Sequence, residues 1–195
     1  MSDTILSDSD TRYLNHGNIY FIGLMGAGKT TIGKQLAKHL NKQFYDTDHE
    51  IEKRTGVKIP VIFELEGESG FRKRELSAIE ELTQLDDVVL ATGGGAIMNE
   101  TSRKLLQENG LVIYLRANVN ELCNRTRNDK HRPLLQNVDI REKLKELYAI
   151  RNPLYEKIAH HIVDTGNQPV QHIIHKIEKI LSQVQSTATG QTIHD

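Results

Sequence analysis

The sequence has one cysteine, Cys123, no tryptophan and only four prolines in 195 residues. A single thiol closes no intrachain disulfide and builds no multi-cysteine zinc site, so a reducing, cytoplasmic setting is expected. Charge of one sign is lacking too. Lys and Arg total 25 against 26 Asp and Glu, a formal net charge of -1, which leaves no whole-molecule field for nucleic acid and requires any cationic site to be local. Long hydrophobic runs are also missing. The longest nearly apolar stretch, Ile19 to Gly28, holds three glycines and falls well short of the roughly 18 residues that suggest a membrane span. Residues 1–10 carry three aspartates and no Lys or Arg, which is not how a signal peptide begins. Neither a membrane nor a nucleic acid is expected as a partner.

What is present suits one globular domain, with 37% apolar and 26% charged residues. Residues 1–17 and 182–195 are polar and are expected to be tails around a domain at 18–181. Inside it, short apolar runs alternate with helical patterns, the sign of α/β architecture. Ile19 to Ile22, Phe44-Tyr45, Val88 to Ala91, Leu111 to Leu115 and Ile162-Val163 are the five strand candidates. Ile32, Leu36 and Leu40 lay an apolar stripe on the helix after the first strand. Gly110 stands where a helix ending at Asn109 would take a left-handed residue. Short reversals of this kind favour a mostly parallel sheet covered on both faces. Arg125 to Val138 is basic at its start, contains Pro133 and keeps neither period, so a loop or lid is expected there.

Gly23-Leu24-Met25-Gly26-Ala27-Gly28-Lys29-Thr30 fits G-x-x-x-x-G-K-[ST] and lies between a strand and an amphipathic helix. Its glycines let successive backbone N–H groups and the helix N-terminus face phosphate. Lys29 would then meet the β- and γ-phosphates and Thr30 would ligate Mg²⁺. Asp46 and Asp48 close the second strand candidate, at the end of the sheet where ligands lie in such folds. They would point the same way if the strand continued, and either would hold Mg²⁺ directly or through water, or cap the helix beginning near His49. Gly93-Gly94-Gly95 follow the third strand; a close approach to a ligand and a tight structural turn both account for them. Arg72, at the start of a helix, Arg132, before Pro133, and Arg151, at a helix break before Pro153, are either solvated or converge on an anion. The nine histidines form no H-x-x-x-H pair and read as surface residues. With no catalytic Cys or His constellation, the chemistry points to electrostatic phosphoryl transfer.

From about Asn18 to Leu181 the sequence resembles the bacterial shikimate kinase family, in the ordered segments GLMGAGKTTIG, FYDTD, IEKRTG, FRKRE, ATGGGA, RPLL and RNPLY. The resemblance implies a three-layer P-loop kinase fold with five parallel strands in order 2-3-1-4-5, helices on both faces and a lid at about 125–138. It also implies transfer of the γ-phosphate of ATP to the 3-hydroxyl of shikimate, giving shikimate 3-phosphate on the route to chorismate, in a monomer using Mg²⁺. Gly26, Ala27, Gly28, Lys29, Thr30 and Thr31 match the ATP phosphate loop, and Asp46 joins Thr30 at Mg²⁺. Arg125 matches an adenine-side contact, Arg132 the lid arginine on ATP phosphate, and Gln168 an ATP-edge loop. Asp48, Arg72, Gly94 and Arg151 match shikimate contacts, Glu75 a supporting carboxylate, with Gly93 and Gly95 beside them. The chemistry agrees: arginines suit the acid of shikimate and a carboxylate its alcohols. Lys29, Asp48 and Arg132 are the expected catalytic residues, Asp48 orienting the 3-hydroxyl whether or not it takes the proton. The rival readings are a kinase of gluconate or another small molecule on the same scaffold, and a nucleotide-dependent switch; no N-K-x-D guanine-reading segment is present.

Overall fold

A computed structural model describes residues 17–127, 133–136 and 138–190, with side chains to Ser186. Arg132, most of the N-terminal segment and the last five residues lie outside them. Five parallel strands, β1 (Ile19–Ile22), β2 (Gln43–Asp46), β3 (Val88–Ala91), β4 (Leu111–Arg116) and β5 (His161–Asp164), lie in the order β2-β3-β1-β4-β5. Every residue of β1 and β3 is buried, because each of these strands has a neighbour on both sides and helices over both faces. That is why they read as unbroken apolar runs rather than alternating ones.

Among the described residues, seven α-helices connect and cover the sheet: α1 (Lys29–Leu40), α2 (Thr47–Thr55), α3 (Ile59–Leu82), α4 (Glu100–Asn109), α5 (Val119–Thr126), α6 (Ile140–Ile158) and α7 (Val170–Gly190). Short 3-10 turns occupy Ala96–Met98 and Pro133–Leu135. In α1, Ile32, Leu36 and Ala37 form the buried stripe and Leu40 packs at its edge. Gly33 belongs to the same face, where a Cβ would come 2.6 Å from the Phe44 ring, so glycine lets α1 lie close on β2.

Several local expectations change. The second strand ends at Asp46 and α2 begins at Thr47, so Asp48 sits in a first helical turn and does not share a strand face with Asp46. Gly110 is extended, with φ -171°, and not left-handed; its absent Cβ makes room for the Tyr20 ring, which one would approach to 2.5 Å. Arg125 lies inside α5, and Leu135 is buried in a 3-10 turn, so the expected loop is structured where it is described. Arg151 is inside a continuous α6, not at a break. Pro153 removes one backbone donor, but Ala149, whose carbonyl would have received it, is exposed to water. His160 and His161 are half-buried rather than fully exposed. His160 accepts the Val112 amide at 2.9 Å, and burial holds half-buried His161 below the usual imidazole range. Finally, α7 continues past Leu181, helped by Val184 against the core and by Ser182 and Ser186 hydroxyls bonded to carbonyls one turn back.

α3 is two helices joined at Gly67, whose φ of 69° and ψ of -177° leave the helical region. Pro60 is tolerated in its first turn, where backbone N–H groups lack partners in any case. Across the break Arg74 grips Glu66 through two hydrogen bonds of 2.9 and 2.6 Å. The second half carries Arg72 and Glu75 to the carboxyl end of the sheet.

Candidate active site

The turn from β1 into α1 curls because Gly23, Gly26 and Gly28 all have positive φ. At Gly23 a Cβ would also sit 2.5 Å from the Leu115 carbonyl, so no other residue fits that turn. The Lys29 ammonium folds back on this loop, donating to the carbonyls of Gly23 at 2.6 Å and Leu24 at 3.0 Å, and the residue is buried. Thr30 and Thr31, the next two residues, are exposed. This donor set, open backbone plus one ammonium, is chemically suited to a polyphosphate.

Asp46 divides its two oxygens. Oδ1 caps α2 by accepting the amides of Asp48 at 3.0 Å and His49 at 3.3 Å, a contact of about 1 kcal/mol in typical helices. Oδ2 accepts the Thr30 hydroxyl at 2.6 Å. Capping and pairing with the phosphate loop are therefore done by one side chain. The two hard oxygens that would meet Mg²⁺ lie side by side, leaving phosphate and water to complete its shell.

Thr30, Asp46, Asp48, Arg72, Glu75, Gly93, Gly94, Gly95 and Arg151 line one cleft of about 590 Å³, closed on its apolar side by Met25, Phe63, Phe71 and Leu134. The glycine triplet explains how so many charges converge. None of the three needs positive φ; what matters is approach. A Cβ on Gly93 would lie 2.2 Å from Glu75 Oε1 and 3.0 Å from Asp48 Oδ1, and one on Gly95 2.2 Å from Arg72 Nη1. Arg72 donates to Glu75 at 2.6 Å and to Glu68 at 2.8 Å. Burial works against its charge, but Glu75 and Glu68 outweigh burial and raise its pKa. For Glu75 burial dominates and pushes the carboxyl up, only partly offset by Arg72 and Arg151. Its Oε1 has no hydrogen-bond partner among the described residues, leaving one acceptor open beside Gly93.

Arg151 is 4% exposed and donates to the Gly94 carbonyl at 3.1 Å. Arg125 stands apart from the cleft. Its guanidinium ties the Gly26 carbonyl of the phosphate loop to Thr165 and Gly166 after β5. Gln168 is two residues on in that segment and accepts from Lys176 at 2.8 Å. Two residues at the cleft were not singled out in the sequence. Thr47 is wholly buried and accepts the Gly93 amide at 2.7 Å, and nothing in its local pattern signals this. Tyr155 is wholly buried and donates to the Gly94 carbonyl; its spacing of four from Arg151 on one helix was the available signal.

Comparison with known proteins follows the same lines. Residues 25–182 match the family model described as shikimate kinase. A shikimate kinase of Burkholderia thailandensis is 57% identical over 162 residues, 83% of this chain and 88% of the relative. A solved shikimate kinase from Acinetobacter baumannii in complex with shikimate is 47% identical with a TM-score of 0.83, covering 85% of this chain and 93% of that one. A gluconokinase from Sinorhizobium meliloti, 16% identical with a TM-score of 0.60 over 94% of this chain and 99% of that one, shares the fold alone.

Proposed function

The chain belongs to the shikimate kinase family, and from that membership we propose how its cleft transfers the γ-phosphate of ATP to the 3-hydroxyl of shikimate. The observation that supports this most is the convergence of the carboxylates Asp48 and Glu75, the arginines Arg72 and Arg151 and a glycine triplet beside the Thr30–Asp46 pair. Arg72 and Arg151 take the carboxylate of shikimate, since guanidinium forks match that group. Asp48 accepts from the 3-hydroxyl and orients its oxygen toward the phosphate; a carboxylate at that place would repel a phosphorylated acceptor. Glu75 holds Arg72 in place and offers its open oxygen to the polar edge of the ring.

On the other side, Gly26, Ala27, Gly28, Thr30 and Thr31 cradle the phosphates through backbone and hydroxyl groups. Lys29 exchanges its carbonyl contacts for phosphate oxygens, neutralising charge on the moving group. Thr30 and Asp46 would hold Mg²⁺, which when bound would supply positive charge against the transferring phosphate. Arg125 and Gln168 are assigned to the nucleoside end of ATP, and Arg132, which lies outside the described residues, to its phosphates. We assign the reaction to the cytoplasm, a reading supported by a single cysteine that closes no intrachain disulfide, and to a monomer, as the family resemblance implies. No helix among the described residues is long and apolar enough to cross a membrane.

A coupled ADP-release assay with shikimate, gluconate and AMP as separate acceptors, with Mg²⁺ present or omitted, tests this. ADP release is expected with shikimate and Mg²⁺ together and at background level otherwise. No stimulation by shikimate overturns the reading.

A further inference from the structure

The helix that supplies Arg151 supplies a second donor to the same atom. Tyr155, one turn along α6, donates its hydroxyl to the Gly94 carbonyl that also receives Arg151 Nη1 at 3.1 Å. A carbonyl has two lone pairs, and here both are filled from one helix face. Tyr155 is itself fixed: it is 0% exposed and stacks on Tyr114, with ring centroids 4.9 Å apart and planes at 27°. Tyr114 is held in turn by donating to Asn152 Oδ1 at 2.8 Å. Burial pushes the Tyr155 hydroxyl far above its ordinary range, so it remains a donor at any pH at which the protein works.

Arginine has a long, freely rotating stem and a single bond to one carbonyl orients it poorly, whereas a stacked tyrosine has two side-chain torsions and little freedom to lose. We propose that Tyr155 is a positioning residue for the acceptor: its hydroxyl fixes the Gly94 carbonyl, and through it the Arg151 guanidinium and the plane of the Gly94–Gly95 peptide. The peptide is planar and trans, so a fixed Gly94 carbonyl sets the Gly95 N–H in the opposite direction. From the other side the Gly93 amide is held by Thr47, the neighbour of Asp48. The triplet is thus stapled at both ends, by α2 and by α6.

This inference rests on Arg151 binding the shikimate carboxylate, and the test separates the two. Tyr155→Phe, Arg151→Lys and the double variant are compared by steady-state kinetics in the full chain. Tyr155→Phe should raise the KM for shikimate about three- to ten-fold, the worth of one buried hydrogen bond, with kcat and the KM for ATP within about two-fold. Arg151→Lys should raise the shikimate KM further, and the double variant should stay within about two-fold of Arg151→Lys, because both side chains act through one group. If Arg151→Lys raises the shikimate KM and Tyr155→Phe does not, the role of Tyr155 is overturned and that of Arg151 stands. If Arg151→Lys leaves it unchanged, the reading beneath is overturned. Equal rises in both KM values would mark a general structural role and overturn the proposal. Should Tyr155→Phe not fold, Tyr114→Phe releases the ring stacked on it; a rise in the shikimate KM alone then supports the proposal, and equal or absent rises overturn it.

Discussion

At the phosphate loop Lys29 rests on two backbone carbonyls, whereas in the cleft proposed for the acceptor Arg72 lies between two carboxylates and Asp48 stands close by. The first is a set of donors shaped by backbone, and the carboxylate beside it, Asp46, is engaged by the Thr30 hydroxyl and the amides of α2. The second mixes signs, which suits a ligand carrying both an acid and alcohols. The near-zero net charge of the chain therefore conceals a local division of charge, and on the proposed function selectivity for the acceptor would follow from the mixture rather than from excess of either sign.

Asp48→Asn is the strongest way to break this division. It should lower kcat by about 10²- to 10⁴-fold, the usual contribution of a positioned acid or base, while the KM for ATP moves little. Steady-state kinetics with both substrates checks this, and a parallel loss of ATP affinity would show that the two sides are not separate. Gly95→Ala comes next. Its φ of -102° accommodates alanine, so the change acts by driving the Arg72 guanidinium off its place. A rise of about ten-fold or more in the shikimate KM is expected, with ATP unaffected. An unchanged shikimate KM would remove Arg72 from the acceptor side.

Glu75→Gln has the smallest expected effect and sharpens the comparison through pH. Burial raises the folded-state pKa of Glu75 above that of the unfolded chain. The native state then holds a proton that the unfolded state has lost, so stability falls as pH rises from the ordinary glutamate range, about 4.3, through the raised value. Thermal melts across that window should show a shallower decline for Glu75→Gln than for the parent. Identical slopes would mean that Arg72 fully compensates the burial.

The phosphate side was legible in the sequence because its glycines encode backbone conformation, and that is a local property. Strand order was accessible only through resemblance, since apolar runs do not say which neighbours they choose. The acceptor side was legible in residue type but not in arrangement. Asp46 and Asp48 are two apart, yet the helix begins between them, and period-two reasoning fails where a strand turns into a helix. Gly110 was misread because its reason is the Tyr20 ring, distant in sequence. Arg151 before Pro153 suggested a break, but the helix loses a single bond at an exposed residue, Ala149, and runs on. Thr47 and Tyr155 went unnoticed because both act on backbone atoms of another segment.

The strand order has a consequence for how the chain acquires its shape. β3 lies between β1 and β2, so the strand that launches the phosphate loop cannot pair with the strand that follows it. During synthesis, at about 5–20 residues per second, Ile19–Ile22 waits several seconds with unpaired edges until Val88–Ala91 emerges. The strand before the phosphate loop is thus made well ahead of both its neighbours, β3 and β4, a window in which chaperones would find an apolar strand to hold.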